Sequence, residues 1–187
     1  MLKRLLFACL LGLALCGTAS AASVRPLRLD EIIDTATVAF QGTCIDNRTE
    51  RDVATNLVVT YTTFAVTDVL KGATGATHII KQIGGKMPAG GQSYRVDGVP
   101  NFAVGDDYVV LLAGVSAIGF SSPIGLGQGK FTVRRDAGGE RVSNGRDFRE
   151  LTAGMPSVGL PATTAPVREL GLDEFKRIVR ARAAAAR

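Results

Sequence analysis

Between residues 37 and 143 apolar residues tend to recur at every second position, and on either side of that stretch they recur at three and four. The first spacing suits strands with one face on a core, and the second suits helices. LRLDEIIDTA (27–36) puts Leu29, Ile32, Ile33 and Ala36 on one face, with Asp30 and Glu31 in the first turn, where negative charge favours the helix dipole. A helix of about two turns is predicted there. TVAFQGTCID (37–46) aligns Val38, Phe40, Gly42 and Cys44 and predicts a strand, with Gly42 marking a bulge or a close backbone approach. The polar residues 47–56 read as a loop. LVVTYTTFAVTDVLKG (57–72), rich in β-branched and aromatic residues, predicts the longest strand. Both of its faces are partly apolar, which suits a bent strand shared between two walls of a small barrel.

Shorter elements follow. THIIKQI (77–83) predicts a strand, GGKMPAGGQ (84–92) a glycine-dense loop, and SYRVDG (93–98) a brief pairing. Gly105-Asp106-Asp107 is a turn into a strand at 108–112, and KFTVRRD (130–136) forms a hairpin with ERVSN (140–144) across AGG. Residues 152–169, rich in Pro, Ala, Thr and Gly, read as a linker. Residues 170–187 predict a helix with the stripe Leu172, Phe175, Ile178 and Val179, and with Arg177, Arg180, Arg182 and Arg187 toward its negative end. The expected fold is mainly β: a closed or partly open Greek-key, OB-like barrel of about five or six strands over residues 22–151, with a short N-terminal helix and a C-terminal helix.

The start of the chain has a different character. MLKRLLFACLLGLALCGTASAA opens with Lys3 and Arg4, continues with an apolar run, and ends in the small residues Ala19-Ser20-Ala21. These are the three parts of an export signal over residues 1–21. The run of about 11 residues is too short for a bilayer core that needs about 20. Lipid anchoring at Cys16 is the weaker alternative, because Leu15 stands where a small residue belongs. Removal of 1–21 leaves 166 residues and takes two of the three cysteines, so Cys44 stays single. The net charge of +5 falls to +3 with the loss of Lys3 and Arg4. That mild excess is spread along the chain and Trp is absent, so no nucleic-acid partner is expected. The mature chain shows no transmembrane segment and should be periplasmic or secreted.

Candidate chemistry is sparse. In SPIGLGQGKFTVRRD, Gly125, Gly127, Gly129 and Lys130 suggest a phosphate loop, but Ile124 stands where a Walker loop needs glycine and Phe131 where it needs Ser or Thr. A strand, not a helix, is predicted next, so no helix terminus awaits an anion. The glycines read as the bare face of a strand that another segment approaches closely. Ser116, Ser121 and Ser122 lack the nucleophile elbow, and His78 is the sole histidine. One His and one mature Cys fall short of a zinc site. Asp30/Glu31, Asp106/Asp107 and Asp173/Glu174 read as helix-start and turn charges. No catalytic set, cofactor or metal is assigned.

The order of elements carries a resemblance. The matching pieces are Thr37 to Gly42 in the first strand; Phe64 to Gly72 in the second, ending Asp68-Val69-Leu70-Lys71-Gly72; and Phe102 to Tyr108 through Gly105. In these pieces, over residues 27–143, the chain resembles the netrin-like module of tissue inhibitors of metalloproteases. It is more similar still to exported bacterial proteins with that barrel signature, which share GVPNFAVGDDYVVLL- and GLGQGKF-like segments and some of which occur alongside matrixin-type metalloproteases. The resemblance implies the barrel. It does not imply zinc-chelating inhibition, because that needs an N-terminal cysteine and Cys44 lies within a strand.

The expected function is therefore an exported, non-enzymatic binding domain of the bacterial envelope or exterior, with an envelope protein or other ligand as partner. The alternative is a modulator of a secreted matrixin-type metalloprotease acting through loops. The candidate binding surface is the loops 84–92, 47–56 and 115–123, with Lys86, Met87, Arg48, Arg51 and Ser121. Mass spectrometry of the exported protein should find Ala22 at the amino terminus; an acylated Cys16 would contradict this.

Overall fold

The computed structural model describes residues 24–88, 91, 93–155 and 158–186, so the expected leader, its cleavage site, Cys16 and Arg187 lie outside the described residues. The elements are α1 (Leu29–Thr35), β1 (Val38–Arg51), β2 (Val58–Lys71), β3 (Thr77–Ile83), β4 (Gly85–Lys86), β5 (Ser93–Tyr94), β6 (Asp107–Leu112), β7 (Lys130–Asp136), β8 (Gly139–Ser143), α2 (Phe148–Leu151), β9 (Leu170–Gly171) and α3 (Leu172–Ala185). Seven strands form one antiparallel sheet in the order β3-β2-β1-β6-β7-β8-β9, and β4 pairs with β5.

The fold is mainly β, as expected, but two features differ. No ladder joins β3 to β9 among the described residues, so the sheet is open. Its strands number seven rather than five or six, partly because Leu170-Gly171 pairs with β8; a two-residue strand has no period by which to detect it. The loop after β6 folds back toward β3 instead. Ala113 N donates to Ser122 O at 3.1 Å, and Ser121 N donates to Lys81 O at 3.0 Å.

Alternation along the middle of the sheet builds two cores. On β6, Val109 and Leu111 join Phe131, Phe148 and Phe175 beneath α1 and α3. Tyr108, Val110 and Leu112 join Phe40, Phe64, Ile80 and Phe102 on the other face. Each core has a set of aromatic rings: Phe131 and Phe175 centroids lie 4.5 Å apart, and Phe102 meets both Phe64 and Tyr108 edge-on at 5.0 Å. The VLKG end of β2 belongs to the first core. Leu70 is buried there, Lys71 Nζ donates to Ile33 O at 2.6 Å and to Asp34 O at 3.1 Å at the end of α1, and Gly72 turns at φ +71° where Thr37 O leaves no room for a Cβ.

Three other expectations are corrected. Residues 47–51 are not loop: they continue β1, with Arg48 opposite Tyr61 and Thr49 opposite Thr60, because cross-strand pairs hold a ladder whose residues are polar. Residues 124–129 are a turn rather than a strand, since Gly125 and Leu126 take φ +60° and +64°. Both ends of that turn bond Leu111, and Gly129 is required where Leu111 O would lie 2.7 Å from a Cβ. The turn anchors the segment that leads into α1: Gln128 accepts from Leu27 N at 2.7 Å and donates to Arg25 O at 3.0 Å. The segment expected as a linker is pinned to the domain. Arg149 donates to the carbonyls of Pro161, Thr163 and Ala165, Phe148 N donates to Val167 O at 2.7 Å, and Val167 and Leu170 are buried.

The terminal helix packs as its stripe predicts, with Leu172, Phe175, Ile178, Val179 and Ala183 buried. Of its arginines, Arg180 reaches Asp68 at 2.5 Å and Arg182 reaches Asp34 at 2.5 Å, so they bind the helix to β2 and α1. Phe175→Ala should therefore lower unfolding stability by about 3–5 kcal/mol in denaturant titrations, a loss that a detached helix would not produce.

At the other end of the sheet a single ion pair joins three segments. Asp52 begins the β1–β2 turn and meets Lys81 Nζ at 2.9 Å, with both side chains about nine-tenths covered. Thr55 donates to the same carboxylate through Oγ1 at 2.6 Å and N at 3.0 Å, and Tyr61 OH through 3.2 Å. Lys81 also donates to Ile118 O at 3.1 Å and lies 4.8 Å from the Phe120 ring. The Lys81 and Thr55 bonds hold the Asp52 pKa down at about 2, from an ordinary 3.8. Its folded pKa lies below its unfolded one, so its stabilisation is complete above about pH 4 and fades as pH falls toward 2. Acid titration of Asp52→Asn should show a shallower loss of stability across that window than the parent; an unchanged slope would refute the role.

Candidate functional site

A β-bulge creates the site. Cys44 pairs with Phe64 but Asp46 pairs with Thr63, so Ile45 is an extra residue in β1. Before it, the even positions Phe40 and Cys44 face the second core; after it, the odd positions Asn47 and Thr49 take that face, opposite Thr62 and Thr60. Without the bulge, Asp46, Arg48 and Glu50 would point inward. On β3, Gln82 follows Ile80 on the same face, opposite Thr60. The apolar inner wall thus becomes a floor of hydroxyls and amides.

That floor underlies a cleft of about 690 Å³, walled by β4, β5 and residues 95–102. The hydrogen bonds across it run one way. Thr60 Oγ1 gives its proton to Gly84 O at 2.7 Å, so Thr49 Oγ1 donates to Thr60 Oγ1 at 2.9 Å. Thr62 Oγ1 donates to Asn47 Oδ1 at 2.6 Å, and Asn47 Nδ2 donates to Phe102 O at 2.6 Å. The Thr49 and Thr62 oxygens keep lone pairs free, while Gln82 Nε2, in a residue only 3% exposed, has no partner at all. Gly85 closes one end at φ +140°, where any Cβ would strike the Thr60 and Thr49 side chains. Tyr94, half exposed, and Phe102 supply aromatic surface, and the charged Lys86, Arg95 and Asp97 lie exposed at the rim.

The structure distributes the five expected binding residues differently. Lys86 lines the cleft. Met87 follows it, half-buried and outside the lining. Arg48 lies on the opposite face of β1, 5.2 Å from the Tyr61 ring centroid and 3.3 Å from Glu50, and Arg51 donates to Asn56 O at 2.8 Å. Ser121 lies outside the cleft lining, buried where the loop folds onto β3, with its Oγ unpartnered. Of the three expected stretches, 47–56 and 84–92 both contribute to the cleft lining, and 115–123 does not. Thr60, Thr62 and Gln82 were missed, and Asn47 and Thr49 fall within the expected stretch 47–56 without being singled out. Thr60 and Thr62 share the phase of Phe64, a signal that was available in the sequence; Asn47 and Thr49 come into phase only through the bulge.

Other groups capable of chemistry lie outside the cleft lining. His78 lies 5.0 Å from Phe40, with Nδ1 2.8 Å from Thr74 Oγ1, and burial pushes its pKa down. Burial pushes the Cys44 thiol up. Lys130 is 5.0 Å from the Phe102 centroid and 4.8 Å from that of Tyr108, donates to Asn101 O, and burial lowers its pKa. Asp107 accepts from Thr43 Oγ1 at 2.5 Å and meets Arg135 at 3.2 Å, in an open charged groove. Among the described residues no three His, Cys, Asp or Glu side chains are placed to hold a metal, and no helix is long and apolar enough to cross a membrane.

In comparison with known proteins, the chain matches no protein-family profile and no curated protein sequence.

Proposed function

We propose that the chain is an exported, non-enzymatic binding domain, acting in the periplasm or outside the cell, with the polar cleft as its ligand site. One observation supports this above the others: Gln82 Nε2 is a buried donor with no partner on the floor of a cleft large enough for a small molecule. An unpaired buried polar group is a standing cost to stability, and a ligand that satisfies it recovers that cost on binding. The volume falls within the range of small-molecule sites.

The sheet itself is read as an open relative of the netrin-like barrel. Two features support that reading: β1, β2 and β3 form a meander, and the 113–123 loop crosses from β6 to β3 where a closing strand would run. The export-signal pattern of residues 1–21 supports an envelope component as partner.

With the full mature chain labelled with nitrogen-15, a small-molecule fraction from a cell envelope should shift the side-chain amide signals of Asn47 and Gln82. Those of Gln41 and Gln128, outside the cleft, should stay in place. Absence of any cleft shift in concentrated extract would overturn the reading. So would a turnover assay whose activity disappears on His78→Ala or Asp107→Ala, or inhibition of a matrixin-type metalloprotease that cleft substitutions leave intact.

A further inference from the structure

We infer that the cleft takes a neutral, polyhydroxylated ligand, a short uncharged oligosaccharide, gripped by the Thr49–Thr62–Gln82 floor against Tyr94. This rests on the reading of the cleft as a binding site and names its ligand class.

Donors and acceptors lie side by side in the floor, where Thr62 and Gln82 are buried at 1% and 3% exposure. Thr49 and Thr62 have committed their protons and offer lone pairs, while Gln82 Nε2 offers protons. A carboxylate or phosphate could accept from Gln82 but would face the lone pairs of the threonines. An ammonium would suit the threonines and oppose the amide. A hydroxyl both donates and accepts, so a row of hydroxyls satisfies every position, and in either flip of the Gln82 amide.

Charge points the same way. Lys86, Arg95 and Asp97 are exposed on the rim, and the floor residues are uncharged. A charged ligand seated on that floor would lose its hydration without a counter-ion. Sugar rings also have apolar faces, and Tyr94, half exposed on the wall, provides a flat surface for one. The cleft's 690 Å³ has room for about two or three rings, within the usual size of small-ligand sites. An extended peptide fits less well: its backbone groups would pair along a strand edge, whereas Thr49, Thr60, Thr62 and Gln82 meet the cleft through side chains on the face of the sheet.

The test titrates chitotriose, cellotriose, maltotriose and an acetylated, amidated alanine tripeptide into the nitrogen-15-labelled mature chain. At least one trisaccharide should saturate a shift of the Gln82 side-chain amide. Gln82→Met and Tyr94→Ala should each weaken that affinity about ten-fold. Thermal unfolding should show Gln82→Met at least as stable as the parent, since the orphan donor is gone, which separates lost binding from lost folding. Unchanged trisaccharide affinity in Gln82→Met would overturn the inference. Saturation by the tripeptide alone, lost in Gln82→Met, would overturn the ligand class and leave the binding cleft standing. No movement of Gln82 with any of the four probes would overturn the inference, and the cleft reading would then fall or stand on the extract experiment.

Discussion

The pairing of β1 with β6 is the constraint on which the rest of the molecule depends. From Tyr108 to Leu112 β6 is covered on both faces, so each successive residue there is committed to one core or the other. A sheet buried on both sides cannot slip by one residue without exchanging the contents of its two cores. The register Val38 to Leu112 through Thr43 to Asp107 therefore positions α1 and α3 on one side and the Phe40–Phe64–Phe102 cluster on the other.

The cleft is the consequence of relaxing that constraint. Where β1 runs past the end of β6 it has only β2 beside it, and a single inserted residue, Ile45, resets its alternation. The inner face changes from aromatic to hydroxyl and amide within a few positions. Nearly all of those polar groups are satisfied by one another or by the carbonyls of Gly84 and Phe102, which makes the floor a rigid, pre-aligned array. Gln82 Nε2 is the exception, and an exception in an otherwise complete network is where a ligand has something to gain.

Stapling contacts protect this arrangement from the loops around it. Lys81 ties the hairpin turn at Asp52 to the 115–121 loop, Lys71 holds the end of α1, and Arg149 gathers the carbonyls of 161–165. In each case a long basic side chain reaches backbone oxygens that no regular element satisfies. In these described segments the cations add to the hydrogen bonds that the loop backbone makes for itself.

Periodicity alone made most elements legible: α1, the long strand β2, β3, β6, the β7–β8 hairpin and the stripe of α3 all follow from residues that recur at two or at three and four. The VLKG ending and the glycines were visible as letters, but their work depended on partners distant in sequence, such as Lys71 on Ile33 O and Gly129 beneath Leu111 O. The extension of β1 through residues 47–51 was hidden because a polar strand and a polar loop have the same composition, and only the facing residues 58–62 distinguish them. The binding floor was hidden for a related reason. A bulge is a relation between two strands, so nothing in the order of amino acids along β1 declares that Asn47 and Thr49 share a wall with Phe40. Local spacing, which each segment carries within itself, determined the helices and strands; the phase between segments, which exists only once they pair, decided where the cleft lies and which groups line it.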